Sequence, residues 1–238
     1  MLVRFLSPRR QAQPKVGAKG LVAKINELKR SDVARLIKRR LEEFKEVHEA
    51  DSSRWFEELC FCILTANFNA SRVLVIWEDL RRENAFFDAD EDELASLLKE
   101  RGYRFYKKRA EYITGARSFV NNIKEIVLSF EAKSSGASRE WLVKSIKGVG
   151  YKEASHFLRN VGFTDFAIID RHILSVLREY GLVQLEGGGG GRGKNITLTR
   201  RRYLGVESVL RDIAEASGLT LAALDLYLWY MRTGKVVK

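Results

Sequence analysis

The 238-residue chain is 45% apolar and carries 42 Lys and Arg against 31 Asp and Glu, a formal net charge of +11. This composition excludes wholesale disorder and leaves room for one large domain or two lobes with a proper core. The positive balance favours a polyanionic partner without separating DNA from RNA or an acidic membrane surface, and no apolar run reaches the roughly 18 to 20 residues of a spanning helix.

Residues 1–20 read as a basic, mobile arm: both prolines, Pro8 and Pro14, lie there, with no regular apolar period. The arm lacks the long apolar stretch of a secretion signal, so an intracellular protein is expected. From Leu21 onward helical signals recur. Val33, Leu36, Ile37, Leu41 and Phe44 form an apolar stripe, and helices are predicted over 52–66 and 70–80. Cys60 and Cys62 are the only cysteines. Two apart on a helix, they point to different sides and read as small core residues rather than a disulfide, a four-thiolate zinc site or an iron–sulfur cluster. Asp90 with Glu93 predicts a capping box opening a helix through Leu98. A long helix or a broken pair follows over 105–130, and Ser134 to Ser138 is a polar joint.

Further on, Glu186 to Lys194 holds six glycines in nine residues and reads as a flexible surface loop. It lacks the Gly-Lys-Ser/Thr ending and following helix of a phosphate-binding P-loop. Leu182 to Leu185 and Asn195 to Leu198 are placed as a small β-hairpin around it. Helices over 199–216 and 220–233 close an all-α chain.

The chemistry concentrates between Trp141 and Arg178. Lys147-Gly148-Val149-Gly150-Tyr151-Lys152 stands between two helices, the first with Ser138 as candidate N-cap and Trp141, Leu142 and Ile146 on it, the second with Ala154, Phe157, Leu158 and Val161 on one face. Glycines flanking a small apolar residue let a backbone turn tightly and offer its amides to a phosphate, aided by the dipole of the following helix. Lys152 falls off the apolar face. It is either a solvated lysine or an amine aimed at whatever approaches the turn. Eighteen positions later Asp170 stands between the apolar approach Phe166, Ile168, Ile169 and the stripe Ile173, Leu174, Leu177. It is therefore a helix N-cap, worth about 1 kcal/mol, whose fixed rotamer is compatible with catalysis. His172 and His156 suggest a metal, but one neighbouring aspartate is a poor ligand set and no metal is assigned.

Ile146-Lys-Gly-Val-Gly-Tyr-Lys152 followed by Ala-Ile-Ile-Asp170-Arg-His172 resembles the helix-hairpin-helix DNA glycosylase superfamily. Within it, Cys60-Phe-Cys-Ile-Leu-Thr-Ala-Asn-Phe, Gly102-Tyr-Arg-Phe-Tyr-Lys-Lys-Arg-Ala-Glu111, Tyr151-Lys-Glu-Ala-Ser-His-Phe-Leu-Arg-Asn160 and Gly234-Lys-Val-Val-Lys238 are similar to the archaeal-type 8-oxoguanine DNA glycosylase/AP lyase family. The resemblance spans 21–238. It implies two helical lobes with the active-site cleft between them, one discontinuous lobe from 21–47 and 164–238, and a barrel lobe over 48–163 ending in the hairpin motif at 139–161. It also implies a monomeric prokaryotic cytoplasmic enzyme, associated with the nucleoid, that acts on double-stranded DNA containing 8-oxoguanine without a cofactor or a membrane. By resemblance Lys152 attacks the sugar C1′ and remains as a Schiff base, and Asp170 steadies the developing positive charge. Lys147, Gly148, Val149 and Gly150 contact the DNA backbone. Asn67 fills the space left by the extruded base or, on its residues alone, caps a helix. Asp225 and Trp229, at i and i+4 with Arg232 nearby, read as a core tryptophan with a surface charge pair, whereas the resemblance places them with Lys238 in base recognition, the lysine through its terminal carboxylate. An acceptor aimed at N7 would separate 8-oxoguanine, which carries a proton there, from guanine. The alternatives are a glycosylase for another oxidised base and a non-catalytic helix-hairpin-helix clamp.

Overall fold

The computed structural model describes residues 3–4, 16–185 and 198–238. It is all-α apart from a two-residue antiparallel ladder in which Val3–Arg4 pairs with Gln184–Leu185. The strand Gln184–Leu185 takes a partner from the N-terminal segment; the hairpin expected between 182–185 and 195–198 has its second arm, through residue 197, outside the described residues. The glycine run at 186–194 and both prolines lie outside the described residues.

The chain divides into two compact units, one drawn from Met1–Glu43 and Thr164–Val236, the other from Phe44–Phe163 with Val237–Lys238. The discontinuous lobe read from the sequence ran to Lys238, whereas the last two residues belong to the other unit.

In the first unit, α1 (Val16–Leu28) begins inside what reads as a mobile arm. The reason is close packing: a Cβ at Gly17 would stand 1.7 Å from the Tyr180 carbonyl oxygen, so only glycine lets the helix approach that backbone. Helix α2 spans Val33–Glu49, of which the residues through Glu43 belong here. Its inward stripe is Val33, Ile37, Phe44 and Val47, whereas Leu36, expected on that face, is 53% exposed. The remaining helices are α11 (Arg171–Glu179), α12 (Arg200–Ser217) and α13 (Leu221–Thr233). Thr199 and Thr220 cap the last two by accepting from Arg202 N (3.4 Å) and Ala223 N (3.2 Å).

The second unit is built around α3 (Ser52–Thr65), which packs against α4 (Ala70–Arg82), α7 (Tyr106–Gly115), α8 (Ile123–Glu131) and α10 (Tyr151–Asn160). Cys60 and Cys62 are both unbridged and buried in it, and burial pushes both thiols well up from their ordinary range. Between α4 and α7 come the short α5 (Ala85–Asp88) and α6 (Glu91–Glu100), the latter capped by Asp90 accepting from Glu93 N at 2.9 Å. The 105–130 stretch is a broken pair. A 3-10 turn, Ala116–Phe119, interrupts it where Arg117 donates to the carbonyls of Phe86, Ala85 and Ala89. Helix α9 (Ala137–Ser145) starts at Gly136, left-handed at φ 83°, and not at Ser138. The Ser138 hydroxyl instead donates to Glu131, whose other oxygen accepts from Gly136 N at 2.9 Å, so a carboxylate from the preceding helix orders this start.

Gly17→Ala should lower stability by about 1 to 3 kcal/mol through overpacking against a backbone carbonyl. Gly20→Ala, whose Cβ would meet the Tyr180 ring at an ordinary 3.6 Å, should be neutral or stabilising by up to about 1 kcal/mol. Thermal unfolding of the two variants checks the contrast; equal effects would remove the close approach as the reason for glycine at 17.

Candidate active site and nucleic-acid interface

Helices α9 and α10 with the turn between them form the helix-hairpin-helix. Val149 turns inward at 5% exposure and its N–H donates to Ile146 O at 3.2 Å, closing the turn. The two glycines have different reasons to be there. Gly148 has φ 84°, and a Cβ on it would lie 2.1 Å from the Tyr112 ring, so conformation and space both exclude a side chain. Gly150 has negative φ, and its added Cβ would meet only the Glu153 carboxylate, at 3.1 Å. As the residue preceding α10, Gly150 has no side chain to cap the first-turn amides, which lack intrahelical acceptors and face the positive dipole end outward.

Carboxylates attend the lysines of this turn. Lys147 Nζ lies 2.5 Å from Glu111 Oε1, with Lys108 Nζ 2.9 Å from the other oxygen. Hydrogen bonds from Lys147 and then Lys108 hold the Glu111 carboxyl down to about 2. Lys152 is the second residue of α10, its side chain 28% exposed, with Nζ 3.1 Å from Glu153 Oε1, while Glu153 Oε2 accepts from Gly150 N at 3.3 Å. One glutamate thus joins the turn backbone to the candidate nucleophile. A cavity of about 490 Å³ beside the hairpin is lined by Glu91, Glu111, Thr114 and Lys147; its two carboxylates make it a poor phosphate seat.

In the other unit, Asp170 precedes α11 and its Oδ1 accepts from His172 N (2.8 Å) and Ile173 N (3.0 Å). The loop before it is fixed by its neighbours: Asp225 Oδ1 accepts from Ile168 N at 3.0 Å, and the Tyr203 hydroxyl accepts from Ile169 N and donates to Ala167 O. Asp225 is 4% exposed. Trp229, one turn further along α13, packs edge-to-face on His172 with centroids 4.8 Å apart, and its buried indole N–H has no acceptor among the described residues. Asp170, His172, Asp225 and Trp229 therefore form one cluster. Burial, with Arg171 and Arg232 nearby, lowers the His172 pKa against the opposing pull of Asp170. Among the described residues no group of three or more His, Cys, Asp and Glu is arranged to hold a metal.

Asn67 follows α3 in the left-handed region (φ 61°) and is exposed; the cap of α4 is Asn69, which accepts from Arg72 N at 3.0 Å. The turn beneath Asn67 is pinned by Tyr103 OH donating to Leu64 O (2.5 Å) and Arg109 Nη2 to Ala66 O (2.9 Å). The Lys238 side chain is 8% exposed and paired with that of fully buried Glu58. His156 is buried one turn after Lys152, with Nδ1 3.4 Å from Thr65 Oγ1, and burial followed by Arg159, Lys152 and Lys238 lowers its pKa well below the ordinary histidine range.

Residues 37–219 match the sequence model of the Ogg-HhH family, described as 8-oxoguanine DNA glycosylase. The chain belongs to this 8-oxoguanine DNA glycosylase family. Its relatives include the 8-oxoguanine DNA glycosylase/AP lyases of Methanocaldococcus jannaschii, 50% identical over 92% of this chain and 99% of the relative, and of Korarchaeum cryptofilum, 45% identical over 94% and 100%. Among solved structures, the Methanocaldococcus jannaschii 8-oxoguanine glycosylase/lyase in complex with 15mer DNA containing 8-oxoguanine superposes with a TM-score of 0.83 at 50% identity, covering 92% of this chain and all of that one. The Ogg-HhH match takes in the hairpin, Lys152 and Asp170 and ends before α13, so Trp229 and Lys238 lie beyond it.

Sequence reading of this family member missed Glu153, Glu111, Tyr112 and Glu58. Glu153, three residues after a glycine cap, had a weak capping signal, and Glu58 stands out as a charge in an otherwise apolar run, whereas Glu111 and Tyr112 reach the hairpin only through tertiary packing.

Gly148→Ala should cost about 2 to 4 kcal/mol, from the left-handed backbone plus the ring contact, and Gly150→Ala about 1 kcal/mol or less, as an N-cap exchange. Denaturant unfolding of both variants tests the difference; equal costs would mean the two glycines serve one backbone role.

Proposed function

We propose that the chain is a bifunctional DNA N-glycosylase and AP lyase of base-excision repair, which extrudes 8-oxoguanine from duplex DNA, excises it and nicks the strand. The observation that carries this reading is the position of Lys152, half-buried in the first turn of α10 directly after the Gly148-Val149-Gly150 turn. The relatives known as 8-oxoguanine DNA glycosylase/AP lyases, one of them solved in complex with DNA containing 8-oxoguanine, support it.

In this reading the α10 amides and Lys147 grip backbone phosphates, Lys147 leaving Glu111 for the DNA. Extruding the base costs a few kcal/mol, offset in part by Asn67, which the pinned turn presents outward to the vacated stack and its orphaned cytosine. Lys152 in its neutral form attacks C1′, the bond to the base breaks, and the base departs as the lysine gives up its proton. Opening of the sugar ring produces the Schiff base, and loss of a 2′ proton with cleavage of the 3′ C–O bond nicks the strand. Asp170 stabilises the positive charge on the sugar and assists the proton movements. Trp229 stacks on the extruded base and Lys238 recognises it through its main-chain carboxylate, while Asp225, expected at the base, contributes by holding the Ile168 backbone ahead of Asp170. The amine itself carries the covalent chemistry, so no cofactor enters. The enzyme works as a monomer on nucleoid DNA in the cytoplasm; no helix among the described residues is long and apolar enough to cross a membrane.

Borohydride should trap a covalent complex between the protein and duplex DNA bearing 8-oxoguanine opposite cytosine, and Lys152→Gln should abolish it. Undiminished trapping by that variant would remove Lys152 as the nucleophile. Asp170→Asn should slow single-turnover base release by about a hundredfold or more, in the range of a lost electrostatic stabiliser, with duplex binding and melting temperature largely kept. Unfolding of the variant would instead assign Asp170 to helix capping alone.

A further inference from the structure

Lys238 is seated in a slot built for an ammonium. Glu58, with no exposed surface, takes its Nζ, and the same carboxylate is held by Arg54 Nη2 at 2.6 Å and Asn160 Nδ2 at 3.2 Å. The ammonium lies 3.9 Å from the centroid of the Trp77 ring and 5.2 Å from that of Phe61. Trp77 is itself fixed, its indole N–H donating to Glu57 O at 2.7 Å. Anion, aromatic faces and exclusion of water converge on one side chain. A lysine gains nothing in fold stability that a leucine or methionine would not supply at this depth, since a buried ion pair is often no better than well-packed apolar groups. What the pair does supply is a unique position.

We propose that Glu58 is the positioning residue for Lys238: by seating the ammonium it fixes where the lysine main chain presents its carboxylate, and so sets discrimination between 8-oxoguanine and guanine. This rests on the reading of Lys238 as a recognition residue. Glu58 never meets the base and acts only through the lysine. Without its charge, Lys238 would share the slot with Arg54 and no anion, and would leave it. Removing the ammonium from Lys238 leaves Glu58 paired with Arg54, so that variant keeps a satisfied core.

The experiment measures excision of 8-oxoguanine and of guanine from the same duplex, with nicking of a preformed abasic site alongside, for Glu58→Gln, Lys238→Met, their double variant and deletion of Lys238. Glu58→Gln should reduce the 8-oxoguanine/guanine ratio of kcat/KM about tenfold or more, the size of effect expected from a lost recognition contact, while abasic-site nicking stays within about twofold. Lys238→Met should lower the ratio similarly, and the double variant should be no worse than either single one, because both break the same link. Should Glu58→Gln unfold, Lys238→Met alone decides, a preserved ratio overturning the proposal. A preserved ratio in folded Glu58→Gln, or a loss of abasic-site nicking in proportion, also overturns it. If deleting Lys238 leaves the ratio unchanged, the recognition reading itself falls; if deletion lowers the ratio but neither point variant does, positioning by Glu58 alone falls.

Discussion

Helix α3 is buried along nearly its whole length, and every polar group it carries inward must be satisfied by the unit around it. Ser52, Glu58 and Thr65 are all inside, where an unmatched polar atom costs on the order of 1 to 3 kcal/mol and a charge more. The answers organise the unit. Ser52 Oγ donates to Glu125 at 2.9 Å and accepts from Lys124 N, tying the start of α3 to α8. Leu64 and Ala66 give their carbonyls to Tyr103 and Arg109, so the chain leaves the helix in a fixed turn that throws Asn67 outward. Glu58 collects Arg54, Asn160 and Lys238.

Three lysines in this unit share one arrangement, each resting on a carboxylate, at very different depths. The side chain of Lys147 is 70% exposed, that of Lys152 28% and that of Lys238 8%. An exposed pair is worth little and a solvent ion or phosphate replaces it readily, whereas a buried pair resists separation because each half would be left uncompensated. The gradient matches the tasks proposed for them. A phosphate-gripping lysine has to change partners, a nucleophile has to reach outward from a defined start, and a seating lysine has to stay.

Local signals in the sequence were legible where the chain answers to itself. Asp90 and Asp170 cap helices where the sequence places them, the helices expected from 199 and 220 open there with the two threonines as caps, and the face of Ala154, Phe157, Leu158 and Val161 is buried throughout. Misreadings arose where a distant partner overrides local preference. Ser138 has the chemistry of a cap, yet Glu131 draws its hydroxyl inward and a left-handed glycine takes the terminus. Gly17 looks like a flexible arm residue because the carbonyl that requires it belongs to Tyr180, far along the chain. The slot around Lys238 was invisible for the same reason: its walls come from three helices.

The division of the chain between its units bears on how it is made. The unit centred on α3 is, save for two residues, one continuous stretch from Phe44 to Phe163, while the other needs segments from both sides of that stretch. During synthesis the contiguous unit can collapse as soon as its last helix emerges, whereas α1 must wait for α11, α12 and α13 before most of its apolar surface is covered. Closing so long a loop adds entropy cost only slowly with length but delays the contacts that reward it. The unit carrying Asp170 thus gains its full set of helices only after the contiguous unit has emerged, and the Lys238 side chain enters a slot whose walls, on α3, α4 and α10, are made well before it.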